Sequence, residues 1–324
     1  MKLKYYASLE EKRDKFLKHE IINTQEEFTS LSERFETFEN NKKEHYLFRG
    51  VNNSSYRLYS SAQRLWIGRG LSATGVSFRK LIASILREAK KKNEILSSYL
   101  ARLGIVQNDW LILSFLQHYG AATPFMDFSR RYKIALYFAF DNMNSCGEND
   151  IDEYVSIYYY KTVDVARDIA PSVYRLAINA AQHIQSWEDG LSIWSDLSYS
   201  KTMAKHPLVL VPAYSRQSDI YNDKKKKVSV YTVANLNSTA QEGEFICNSS
   251  PDKPLEDAMI CNNKRYLSCV EIHKGLYEYI LKNYLCFPDL CKAKELYYPD
   301  EKDVAAEVMC RALSSKNTNS KNHR

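Results

Sequence analysis

The chain has little of what usually announces a chemistry. It holds ten glycines in 324 residues, and none is arranged as G-x-G-x-x-G or as a G-K-[ST] phosphate loop, which excludes the common nucleotide-loop classes; H-E-x-x-H is absent too. Seven cysteines are an odd number. None forms a C-x-x-C pair, Cys247, Cys261 and Cys269 are loosely spaced, and Cys286 and Cys291 fit no zinc signature, so no metal is expected. Free thiols suit a reducing compartment. No run of about eighteen apolar residues occurs, as a membrane helix would need. The first residues lack the apolar core of a secretory leader. The expected setting is the cytoplasm, with no membrane partner.

What is present describes a folded chain. Hydrophobic residues make up 44% and charged residues 26%, a globular composition of bacterial-type soluble character. Twenty-four tyrosines suit either strands or an aromatic-lined cleft, since the ring can be buried while its hydroxyl stays wet. The net charge of +6 permits contact with nucleic acid. However, the lysine runs Lys90–Lys92 and Lys224–Lys227 are far apart and carry no interleaved aromatics, so they form no basic stripe and read as solvated turns or helix faces.

Phe28, Leu31, Phe35 and Phe38 recur at helical spacing behind a Thr24/Glu27 capping box, which predicts a helix. His45 to Gly50 reads as a short strand. A long helix is predicted over Val76 to Leu100. A second is predicted from the N-cap candidate Asp109 to Gly120, and a largely buried one follows Ser129. Strands are predicted at Tyr154–Tyr160, Pro207–Ala213, Val228–Ala234, Gly243–Asn248 and Tyr266–His273, and a helix over Gly275–Leu285. Helices lead and strands follow, so the expected class is α+β, a mixed or split β-sheet flanked by helices. The organisation expected is an N-terminal extension over 1–22, a domain over 23–300 with a helical elaboration near 171–200, and a polar, disordered tail over 301–324.

Several residues carry potential chemistry, each beside a purely structural role. Arg49 precedes Gly50 at a strand end: its planar fork suits a phosphate or ribose edge, or it pairs with a carboxylate such as Asp127. Gly50 leaves room for a ligand against the backbone. His118 and Tyr119 end a helix, as a cap or as site residues. Thr123 is a turn residue or a hydroxyl ligand. Asp127 and Ser129 precede a helix that needs only one N-cap, which leaves one group spare to face a cleft. Around Gly243, a strand would project Glu242 and Glu244 to one side and Gln241 to the other. That pair is an exposed edge or the carboxylates of a glycosyl-transfer site.

The motifs LFRG (Leu47 to Gly50), LQHYGAATPFMDFS (Leu116 to Ser129) leading into IALYFA, AQEGEF within Asn235 to Phe245, and CFPDL (Cys286 to Leu290) together resemble the FRG domain family. Pro124 stands where that family usually has an arginine, and another frequent arginine is missing near Asn237. In motif order the chain is also similar to ADP-ribosyltransferases, which build a split sheet around NAD. That resemblance implies Arg49 at phosphate or ribose, Ser129 on the nicotinamide side and Glu244 or Glu242 at the ribose, with Gly50, His118, Tyr119, Thr123, Asp127 and Gln241 around the ligand. The expected function is therefore an ADP-ribosyltransferase-like enzyme using NAD or a related nucleotide. The alternative is a non-catalytic nucleotide- or nucleic-acid-binding module.

Overall fold

The computed structural model describes residues 2–41, 43–91, 108–118, 120–143, 149–181, 195–212, 218–221, 227–230 and 243–285. Its elements follow from local sequence signals where those are strong. Helix α1 (Leu9–Arg13) is capped by Ser8 and leads to strand β1 (His19–Ile22). Helix α2 (Gln25–Asn40) begins at the Thr24/Glu27 capping box and buries Phe28, Leu31 and Phe35. Strand β2 is Tyr46–Val51. Helix α3 (Ser61–Gly68) has its own capping box, Ser60 with Gln63, and α4 spans Phe78–Lys91. Helix α5 (Asp109–His118) is capped by Asn108, whose side chain accepts from the Leu111 amide, and not by Asp109, which instead accepts from the Tyr199 amide. Gly120 follows with a φ of 76°, a left-handed conformation that suits glycine. Strand β3 (Phe125–Ser129) and helix α6 (Tyr132–Phe140) complete the motif region.

Strand β4 is Tyr154–Lys161, β5 is Leu208–Pro212, and β6 (Ser218–Tyr221) pairs with β7 (Lys227–Val230) as a separate hairpin. Strand β8 is Gly243–Asn248. After the short pair β9 (Ile260–Cys261) and β10 (Lys264–Arg265) comes β11 (Ser268–His273). The main sheet has seven strands in the order β1-β11-β4-β2-β3-β8-β5. Only β1 and β11 run parallel; the other neighbours are antiparallel. With helices on both sides, the fold is α+β. The expected helix over 275–285 is broken into a tight turn, a short helix at Tyr277–Ile280 and a wider turn to Leu285. After β4 come helices at Thr162–Asp168, Val173–Ala181 and Tyr199–Lys205; the tail over 301–324 lies outside the described residues, as do Lys224 to Lys226.

The sheet has two halves. β2 and β4 share six register pairs and β3 and β8 share five, but β2 and β3 share one, Phe48 with Ser129. On one face, the two halves have separate cores. α2 and α6 cover β2, β4 and β11 through Phe35, Phe48, Tyr132, Tyr159 and Val270. α3, α4 and α5 cover β3, β5 and β8 through Trp66, Ile82, Trp110, Phe125, Val209 and Phe245. On the other face a single core, including Leu47, Phe128, Tyr158, Leu210 and Ile246, spans the join. The gap between the two cores lies over the β2/β3 junction.

Residues 1–22 supply the edge strand β1 and a buried lysine. Lys12 Nζ is 2.6 Å from Glu271 Oε1, both side chains fully buried, and it donates to the Ser54 carbonyl at 2.9 Å and to Ser156 Oγ at 3.0 Å. Glu271 also takes Ser156 Oγ at 2.7 Å and lies 3.2 Å from His19 Nε2. Burial alone would raise the Glu271 pKa, but Lys12 and the hydrogen-bond donors around the carboxylate outweigh it and hold it at about 2. A carboxylate depressed in this way stabilises the fold above its unfolded pKa, near 4.3, and that contribution is lost as pH falls towards 2.

Gly50 fixes how α6 meets the sheet. A Cβ there would fall inside contact distance of the Ala135 carbonyl oxygen and 2.6 Å from the Ala139 nitrogen, both backbone atoms of α6. The small residues of IALYFA and the glycine of FRG are thus two sides of one close backbone approach. Gly50→Ala is expected to cost about 3 kcal/mol, because backbone on both sides must shift. Denaturant unfolding measures it, and wild-type stability in the variant would contradict the packing.

Candidate functional site

The gap over the β2/β3 junction is an open cleft of about 730 Å³. Its floor is Arg49 and Gly50 of β2 and Asp127 and Ser129 of β3. Asp127 and Ser129 alternate with the buried Phe128, which turns away into the core of the opposite face. One side is α6, through Ile134, Ala135 and Phe138; the other is α3 and α5, through Arg64 and Gln117. The loop after β2 adds Tyr56 and Arg57, and the N-terminal segment adds Lys4 and Tyr5.

Where β2 and β3 part, backbone pairing stops and the Asp127 carbonyl needs another donor. Arg49 Nη1 supplies it at 2.6 Å, reaching across the split. The same nitrogen lies 3.9 Å from the Asp127 carboxylate. The Asp127 side chain is 49% exposed and is held from α5 by Gln117 Nε2 at 2.8 Å. Gln117 accepts in turn from the Thr123 hydroxyl. Thr123 is fully buried, so it supports the site from behind. The motif between Leu116 and Ser129 is therefore a relay in which Thr123 orients Gln117 and Gln117 orients Asp127.

Neither Asp127 nor Ser129 occupies the N-cap position of α6, which is Arg131. Ser129 Oγ accepts from the Arg131 amide at 2.9 Å and braces the turn into the helix. The Tyr132 amide is satisfied by Glu39 of α2, a carboxylate placed where the helix dipole favours it.

Glu244 is not among the residues that line the cleft. Its register partner is Phe128, so its side chain shares the face of Phe128 and not that of Asp127. It is buried and paired with Arg130, whose Nε and Nη2 lie 3.1 and 2.5 Å from Oε1. Burial, with Glu244 nearby, raises the Tyr160 hydroxyl pKa well above its ordinary value. His118 is the last residue of α5. Tyr119, Gln241 and Glu242 lie outside the described residues.

Gln117 lies inside the motif that begins at Leu116 but is not singled out from sequence, and four other contributors to the cleft carry no motif signal. Tyr56, Arg57 and Arg64 follow the strand that holds Arg49. Tyr5 reaches the cleft only because the N-terminus folds back. Arg57 is committed to Glu256 at 2.8 Å and to Asp257 at 2.6 Å. Arg64 is exposed and donates from Nη1 to the Tyr59 carbonyl at 2.9 Å. Desolvation lowers its pKa, with Tyr5 opposing, and an arginine stays charged through such a shift.

The family model described as the FRG domain matches residues 44–147. That range holds Arg49, Gly50, Asp127, Ser129 and α6, whereas Asn235–Phe245 and Cys286–Leu290 lie beyond it. No curated protein and no solved structure matches the chain. No helix among the described residues is long and apolar enough to cross a membrane.

Arg49→Ala should leave the Asp127 carbonyl unpaired at the split and destabilise the fold by about 1–3 kcal/mol. Thermal melts read this, and an unchanged melting temperature would mean that Arg49 does not hold the two halves together.

Proposed function

We propose, for a chain that carries an FRG domain, that the cleft over the sheet split is a nucleotide-binding site, with NAD or a related nucleotide as ligand. The observation that carries this reading is the convergence of Arg49, Asp127 and Ser129 on one cleft of about 730 Å³, a size suited to a small molecule. With Arg57 already paired to Glu256 and Asp257, Lys4, Arg49 and Arg64 line it against two carboxylates, Asp127 and Asp141, which favours an anionic ligand. Asp127, half exposed between Arg49 and Gln117, is placed to accept from a ribose hydroxyl or a base amine.

A binding module is the reading preferred here. Transferase chemistry like that of ADP-ribosyltransferases is the second, favoured by the single pairing between β2 and β3 and by the order of the FRG and DFS motifs. It needs a carboxylate where positive charge develops on the ribose. Glu244 is engaged by Arg130 away from the cleft, so among the described motif carboxylates that role falls to Asp127.

Isothermal titration of the full chain with NAD and with ATP tests the site, and a nicotinamide-release assay separates the two readings. Binding without release is the expected result. Release of nicotinamide by the wild type, abolished by Asp127→Asn, would move the protein to the second reading. No binding of either nucleotide at millimolar concentration would overturn both.

A further inference from the structure

The cleft has a wall that the matched domain does not supply. Residues 3–5 run along it, fixed by the bridge between Tyr5 and Tyr56 and by the Tyr6 amide, which donates to the Ser55 carbonyl at 2.8 Å. Tyr5 is 57% exposed and Tyr56 39% exposed, although large apolar side chains are otherwise mostly buried. Their ring centroids lie 6.0 Å apart with planes at 61°, so the pair covers its edges and leaves ring surface open beside the cleft. Exposed aromatic surface at the mouth of a cleft marks a place for another ring.

The cations nearby are not equivalent. The charge of Arg57 is met by Glu256 and Asp257. Among the described residues no ion pair engages Arg64 or Lys4. Arg64 is pinned by a single hydrogen bond to the Tyr59 carbonyl, which leaves most of its donors for an anion. Tyr5, Tyr56, Lys4 and Arg64 all line the cleft, so ring surface and cations without an ion pair share it.

We propose that Tyr5 and Tyr56 form a stacking subsite for a nucleobase, and that Arg64 with Lys4 takes the attached phosphates. The ligand class is then a mononucleotide carrying two or more phosphate groups, recognised in part by a segment outside the matched domain. The inference rests on the nucleotide reading of the cleft. Stacking of a base on an aromatic side chain tolerates any base, and a guanidinium matches phosphate geometry with paired hydrogen bonds.

Titration of the full chain with ATP, adenosine and inorganic pyrophosphate tests the subsite. Tyr5→Ala is expected to weaken ATP and adenosine binding about tenfold and leave pyrophosphate unchanged, with Tyr5→Trp restoring it. Arg64→Gln is expected to weaken ATP and pyrophosphate and spare adenosine. Both side chains are exposed, so melting temperatures should match the wild type. If the wild type binds ATP but Tyr5→Ala binds it equally well, or loses pyrophosphate in parallel, the subsite is wrong while the nucleotide site stands. If the wild type binds NAD but not ATP, the subsite is likewise wrong; if it binds neither, the underlying reading fails and takes the subsite with it.

Discussion

The hydrogen bond from Arg49 to the Asp127 carbonyl is the interaction on which the rest of the molecule turns. A seven-stranded sheet joined at its middle by one register pair leaves backbone groups of β3 without a strand partner there, and such groups are costly if buried and unmet. The guanidinium meets one of them without closing the gap. A continued ladder would have zipped β2 onto β3 and removed the cleft. Phe48 on one side of Arg49 is buried against Phe35 and Tyr159, and Gly50 on the other admits the backbone of α6. The three residues Phe-Arg-Gly thus do three jobs: they anchor the strand, span the split and seat the helix.

The cleft also depends on parts of the chain distant in sequence. Tyr6 donates to Glu256, which accepts Arg57 and the Leu58 amide as well. Lys12 reaches Glu271, Ser54 and Ser156. These buried polar groups staple the N-terminal segment to β4, β11 and the loop after β2. That fixes the loop carrying Tyr56 and Arg57 at the cleft edge. A buried ion pair adds little net stability over an apolar pair but penalises any arrangement that separates it, so its effect here is to select one course for the N-terminus.

Where signals were local, the sequence was legible. The Thr24/Glu27 capping box and the phenylalanine spacing of α2 appear in the structure as read, because helix periodicity and capping involve neighbours a few residues apart. The strands at Tyr154, Leu208, Gly243 and Ser268 were legible from their β-branched and aromatic runs. Strand β1 was not, since His19–Ile22 is short and its register is set by β11, some 250 residues later. Gly50 was read as space for a ligand; it lines the cleft, and its missing Cβ also admits α6, which the motif alone does not state. The position of Glu244 turns on strand register: pairing Phe128 with Glu244 sends that carboxylate to the face opposite Asp127. A slip of one residue would have reversed it, and nothing in the motif itself states the register. The arginine that neutralises it, Arg130, adjoins the DFS triplet and reads from sequence as part of a helix start.

Hydrogen–deuterium exchange of the full chain, with and without saturating ATP, tests the claim that the sheet split is the binding site. The account predicts slowed exchange in residues 3–6, 48–57 and 125–129 and little change in β1 and β11. Protection confined to segments away from the split, with those three unchanged at saturation, would contradict it.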